Sequence, residues 1–224
     1  DLTAPGQRYT AAQFQAYANK AIADIRARNK VPIITGGTGL YIDGIIFDYA
    51  YPAEATSEIR ATFENMTTEQ LHDYCIQHNL ELPINDKNKR HLIRTALQGD
   101  TPNRRRQVLL SNTYVFGVAT DKEQLRTRIR IRAEQMFENE VVEEARRLGN
   151  KYGWESEVMT GNIYPLMRQY LSGEVTEAEA IEAFIVRDWQ LAKRQMTWFR
   201  RNPYIAWGSK EDISQRVAQL FNSE

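Results

Sequence analysis

The chain has 224 residues, long enough for a real core and for two domains, and its 29 Lys plus Arg are matched by 29 Asp plus Glu, so any electrostatic argument has to be local. A single cysteine, Cys75, excludes a disulfide framework or a cysteine-rich zinc site and fits a reducing, cytoplasmic setting. No apolar run approaches the ~18 residues of a membrane span, and the opening "DLTAPGQRYTAAQF" lacks the basic start and apolar core of a signal peptide.

Residues 10–29 read as a helix with Thr10 as N-cap and Phe14, Tyr17, Ala21 and Ile25 recurring at helical spacing. "VPIIT" at 31–35 is short, β-branched and without polar alternation, which predicts a strand covered on both faces. A turn, Gly36-Gly37-Thr38-Gly39, then leads into a helical "LYIDGIIF", and the whole reads as an α/β unit with a parallel sheet. Composition shifts after Tyr49: residues 56–77 and 86–98 are polar and helical. Strand character returns in "NTYVFGVAT" at 112–120, a long helical pattern runs from Asp121 to about Asn150, another covers 176–201, and "PYIAWG" at 203–208 reads as a last strand. The expected organisation is an α/β core over 1–48 and 113–224 with a helical insertion over 49–112.

A strand-to-helix turn points unpartnered helical N–H groups outward, and glycines admit close approach of a ligand, so Gly37 and Thr38 are candidates for an anion or substrate site. A tight turn capped by Thr38 is the competing reading. The turn is neither G-x-x-x-x-G-K-[ST], which occurs nowhere in the chain, nor G-x-G-x-x-G, so by itself it names no ligand.

Three cationic stretches stand out. In "LRTRIRIRAEQMF", Leu125, Ile129, Ala133 and Met136 form one apolar stripe, and Arg130 has Glu134 four residues on, an ordinary surface pair. Arg128 and Arg132, one turn apart, have no acid three or four residues away and suit a multiply charged anion such as pyrophosphate; a solvated face is the alternative. Between Trp189 and Lys210 no acid occurs, while Lys193, Arg194, Thr197, Arg200 and Arg201 share one side of a helical wheel with Trp198 beside them. That pattern suggests phosphates, RNA among them. From Lys87 to Arg106 seven basic residues face Asp100 alone. Two such stretches in a neutral chain suggest a long polyanion, against the alternative of acids near in space. His72, His78 and His91 lack metal-ligand spacing and read as surface residues.

Taken together, "GGTGLY" at 36–41, "NKRHLIR" at 88–94, "RTRIRIRAEQM" at 126–136, "YLSGEVTEAEAI" at 170–181 and "AKRQMTWFRRNP" at 192–203 resemble the bacterial tRNA dimethylallyltransferase (tRNA isopentenyltransferase) family, in order and over nearly the whole chain. The resemblance implies a P-loop NTPase-like α/β core with a helical insertion that grips the anticodon stem. It implies transfer of a dimethylallyl group from dimethylallyl diphosphate to the exocyclic amine of the adenine 3′ of the anticodon, in tRNAs that read codons beginning with U. Mg²⁺ would sit on the leaving group, and the base would be flipped into a channel.

Carried over by motif, Thr38 would meet the flipped nucleotide, and Arg60 would touch tRNA. Arg90, His91 and Arg94, with Lys193, Arg194, Gln195, Thr197, Trp198 and Arg200, would line the RNA path. Arg128, supported by Arg132, would face the diphosphate or the channel wall, with the Gly37 backbone also at the diphosphate, making Thr38 and Arg128 the catalytic candidates and leaving no metal ligand among the side chains named. The expected enzyme is a cytoplasmic monomer.

The family carries a Walker-type loop and a proton-accepting Asp ahead of the stretch matched by Asp1. Neither is in this sequence, so the expectation is of a truncated core inactive without that segment; an RNA-binding remnant and another P-loop phosphotransferase are the rival readings. The chain departs from the family at Ile163, where a glycine is usual, and at Asp188-Trp189, where Thr-Arg is usual, with Arg187 a nearby substitute.

Overall fold

The computed structural model describes residues 2–4, 7, 9–51, 55–99, 106 and 108–222. Among these the fold is α/β in class, mostly helical with one small parallel sheet, and the chain divides into two units, 1–42 with 111–224, and 43–110. No helix among the described residues is long and apolar enough to cross a membrane.

In the first unit, α1 (Ala11–Ala27) begins at Thr10, whose side chain accepts from Gln13 N–H while the Gln13 side chain accepts from Thr10 N–H. This reciprocal cap satisfies two otherwise orphaned donors. Of its expected apolar stripe, Phe14 stacks on Tyr41 of α2 (Gly39–Ile46) with ring centroids 4.5 Å apart, but Tyr17 is exposed.

Residues 31–35 are not a strand. Val31 and Ile33 are 55% and 72% exposed, and no described ladder reaches them. The parallel sheet forms instead between β1 (Val115–Val118) and β2 (Ile205–Gly208), in register Val115↔Ile205 to Val118↔Gly208. β-Branched composition expresses a preference for a packed, pleated surface; it does not supply the neighbouring strand whose N–H and C=O groups must complete the ladder. α10 (Lys210–Asn222) packs on both strands.

The pattern from Asp121 to Asn150 is two helices, α6 (Lys122–Glu138) and α7 (Val141–Tyr152). They part at Asn139–Glu140, where Glu140 takes a left-handed φ of 48°, a conformation that ends helical propagation. α8 (Tyr164–Leu171) and α9 (Glu177–Phe199) complete a core in which Ala133, Val141, Ala145, Ile163, Leu166, Met167, Ala180 and Phe184 are buried. The α6 stripe behaves as expected: Ile129 and Ala133 are buried and Leu125 and Met136 half-buried.

The second unit has its own core of Phe63, Leu71, Cys75, Leu92 and Ala96, drawn from α3 (Ser57–Asn65), α4 (Thr68–Gln77) and α5 (Lys89–Gln98). His72, expected at the surface, is half-buried, with Nε2 2.9 Å from the Asp86 carbonyl, which ties α4 to the turn before α5. Asp100, Arg104 and Arg105 of the basic stretch lie outside the described residues.

Candidate functional site

The glycine turn owes its glycines to a helix. A Cβ on Gly37 would lie 2.5 Å from Nε2 of Gln195, and one on Gly39 would lie 2.1 Å from Cδ1 of Trp198, whereas a Cβ on Gly36 would meet nothing. Gln195 and Trp198, successive on one face of α9, therefore press against the turn: the indole leaves no room for a side chain at Gly39, whereas at Gly37 the obstacle is the movable end of Gln195. Between them stands Thr38, exposed, its carbonyl accepting from Tyr41 and Ile42 N–H at 3.0 and 3.2 Å. Thr38 thus holds the N-cap position of α2 through its carbonyl, while its hydroxyl makes no capping bond among the described residues and stays available.

The same turn of α9 opens on a cleft of about 300 Å³ lined by Lys193, Arg194, Thr197, Trp198 and Arg201. Trp198 joins the two features: it touches Gly39 and remains 36% exposed among the cations. Lys193, Arg194, Arg200 and Arg201 have no ion pair with any described carboxylate. The alternative that acids near in space neutralise this face fails among the described residues. Thr197 Oγ1 donates to the Lys193 carbonyl at 2.9 Å, so its oxygen retains lone pairs for a donor.

The α6 arginines differ from the expectation. Glu134 adds only a lesser charge contribution at Arg130, which is gripped by Glu182 of α9 through two hydrogen bonds of 2.6 and 3.3 Å. Hydrogen bonding and charge from this pair raise the Arg130 pKa and hold Glu182 below the ordinary carboxylate range. Arg132 is not unpaired either, because its Nη1 lies 3.3 Å from Oδ2 of buried Asp188. Arg126 pairs with Glu123 and lies over the Trp189 ring at 4.9 Å. Arg128 alone of the four has no such partner among the described residues, and it is exposed. Sequence spacing along α6 accommodates the Arg126–Glu123 pair, three residues apart, but could not reveal those of Arg130 and Arg132, whose carboxylates come from α9.

In the second unit α5 carries Arg90, His91 and Arg94 exposed and without ion pairs among the described residues, while Lys89 donates to the Glu64 carbonyl at 2.8 Å. Arg60 is half-buried on α3.

Both departures from the family pattern have a structural account. Ile163 is 8% exposed and belongs to the first unit's core, just ahead of α8. Arg187 donates to the Asn162 carbonyl at 3.0 Å in a partly buried position, so it fixes the start of α8 and does not stand in for a free arginine. No group of three or more His, Cys, Asp or Glu side chains among the described residues could hold a metal ion. The chemistry on offer is cationic and aromatic, with the exposed hydroxyls of Thr38 and Thr197.

A mostly helical α/β fold that seats an uncompensated Lys/Arg cleft against a hydroxyl-bearing glycine turn defines a protein built to hold a polyanion. The IPP transferase family model matches residues 1–202, and the chain belongs to that family. It is 31% identical over 240 residues to the tRNA dimethylallyltransferase of Bacillus licheniformis, covering 99% of this chain and 76% of that one. It is 34% identical over 237 residues to that of a Picosynechococcus species, covering 100% and 79%. Among solved structures it superposes on the full-length tRNA isopentenylpyrophosphate transferase of Bacillus halodurans with a TM-score of 0.68 and 25% identity, covering 100% of this chain and 76% of that one.

Proposed function

We propose that this chain serves transfer of a dimethylallyl group from dimethylallyl diphosphate to the exocyclic amine of the adenine 3′-adjacent to the anticodon, in tRNAs reading codons that begin with U. The observation that carries the reading is the α9 cleft, with its unneutralised Lys193, Arg194 and Arg201, lying against the turn that presents Thr38. A single small phosphate needs fewer cations. A folded RNA strand, with a phosphate at every nucleotide and stackable bases, uses both the charges and Trp198.

In this reading Thr38 touches the flipped nucleotide, with Gln195, Thr197, Trp198 and Arg200 completing the RNA contact on α9. Arg60, Arg90, His91 and Arg94 give the helical insertion, in this reading 49–112, its own contact with the anticodon stem. As the amine nitrogen attacks the allylic carbon, a C–N bond forms, the C–O bond to diphosphate breaks and the amine sheds a proton. Arg128 and Arg132, with the Gly37 backbone beside them, meet the charge that gathers on the leaving diphosphate. Mg²⁺ belongs to this reading as the companion of the diphosphate, but the described residues present no donor set that fits it. No step is assigned to it.

The reading also carries a P-loop-type core and a monomer acting in the cytoplasm. Arg194→Glu weakens stem-loop binding at least tenfold while thermal unfolding stays within about 2 °C, as expected for an exposed surface change. Equal binding by mutant and parent at low and moderate salt refutes the RNA path and favours a phosphotransferase acting on small nucleotides.

A further inference from the structure

Resting on the reading that Arg128 and Arg132 meet a diphosphate, we propose that Asp188 is a positioning residue that aims Arg132 at that anion. Asp188 is out of character for its place. It immediately precedes the acid-free stretch of α9, where a carboxylate would repel a polyanion unless buried and neutralised. It is both: its side chain is 10% exposed, and Arg132 stands 3.3 Å away with its own side chain 66% exposed. A carboxylate withdrawn from water requires a cation, so Asp188 fixes where the Arg132 guanidinium must be. One contact leaves the remaining N–H donors of Arg132 uncommitted among the described residues.

The neighbouring clasp shows the contrast. Arg130 engages Glu182 with both terminal nitrogens, and Glu182 is itself exposed; that pair is mutually saturated and holds α6 to α9. Arg126 is occupied by Glu123 and the Trp189 ring. Arg132 alone is held from behind by a buried carboxylate while its head stays in solvent. It lies one turn from Arg128, which has no partner among the described residues. Two guanidiniums at i and i+4, one of them oriented, make a two-point grip for a doubly charged phosphate pair. The Asp188-Trp189 dipeptide thus organises the α6 arginines from across the helix pair.

The test titrates inorganic pyrophosphate into the full chain by calorimetry and follows thermal unfolding in parallel. Asp188→Asn keeps the shape and a hydrogen-bond acceptor but removes the charge. It is expected to weaken pyrophosphate about fivefold, the scale of one misdirected charge-assisted hydrogen bond. Asp188→Glu restores most of the loss, and Asp188→Asn adds nothing in an Arg132→Ala background. Glu182→Gln, which loosens the other clasp, leaves pyrophosphate affinity within twofold. The proposal is overturned if Asp188→Asn leaves affinity unchanged or tightens it, as simple relief of repulsion would. It is equally overturned if the loss persists without Arg132, if Glu182→Gln matches it, or if the parent takes up no pyrophosphate. An anticodon stem-loop titrated in the same way separates the two failures: a parent that binds the RNA while Asp188→Asn does nothing sinks the positioning role alone, and a parent that binds no RNA sinks the functional reading.

Discussion

Gly37 and Gly39 show how small residues act by what they exclude. The turn that carries Thr38 comes so close to α9 that Gln195 and Trp198 occupy the space a methyl group would need. Gly39→Ala drives Cβ into the Trp198 indole, and overpacking of this kind costs about 1–3 kcal/mol. Chemical denaturation of the variant is expected to show that loss. Gly36→Ala, whose Cβ meets nothing, shows little or none, and Trp198→Ala in the Gly39→Ala background recovers part of the stability. Equal destabilisation by the alanines at 36 and 39 would refute the contact. The same scale explains Asn202, buried just beyond the cationic helix, whose side-chain oxygen accepts from Tyr204 N–H at 2.9 Å and ties the end of α9 to the approach of β2.

At the scale of elements, helices are started by local chemistry and placed by long-range contacts. Thr10, Thr67 and Thr176 each form a reciprocal capping box with Gln13, Gln70 and Glu179, and these pairs fix where α1, α4 and α9 begin. The α7–α8 junction depends on a pair distant in sequence: the Tyr164 hydroxyl donates to Glu144 at 2.6 Å. That bond, with desolvation and the Glu144 charge behind it, pushes the Tyr164 pKa up to about 12 from an ordinary 10.0. The folded state thus favours the protonated phenol. Its stabilising contribution is complete below pH 10 and is lost as pH climbs through about 12. Tyr164→Phe is expected to cost about 1 kcal/mol at neutral pH, as for one hydrogen bond, and to flatten the decline in stability over that alkaline window in a pH series of urea melts. An unchanged alkaline decline in the variant would show that the pair does not contribute.

For the whole molecule, zero net charge conceals a segregated distribution. Acids and bases balance over 224 residues, yet on α9 the bases stand without carboxylates while on α6 most are paired. Binding through such a face is driven by release of counterions and not by total charge. If Lys193, Arg194, Arg200 and Arg201 each neutralise one phosphate of a single-stranded loop, the log–log dependence of affinity on salt has a slope of roughly −3, and Arg194→Glu lowers its magnitude by about 1. A slope near zero in a filter-binding series would remove RNA as the ligand of this face.

The amino-acid sequence by itself determined the starts of α1, α6 and α9, where Thr10, Asp121 and Thr176 cap, because capping and amphipathic periodicity act within a few residues. It also determined the α6 stripe, the acid-free stretch from Trp189 to Lys210 and the family motifs, all of which are properties of one stretch at a time. Only the tertiary structure decided what each stretch meets. It left 31–35 without a sheet partner, brought β1 to β2, and broke one helical pattern at Glu140. It gave Arg130 and Arg132 carboxylates from another helix, sent Ile163 into a core and set Gln195 and Trp198 on the glycine turn. Strand pairing, ion pairing across helices and steric fit join residues far apart along the chain, and a linear pattern holds no record of which distant surface folding brings alongside.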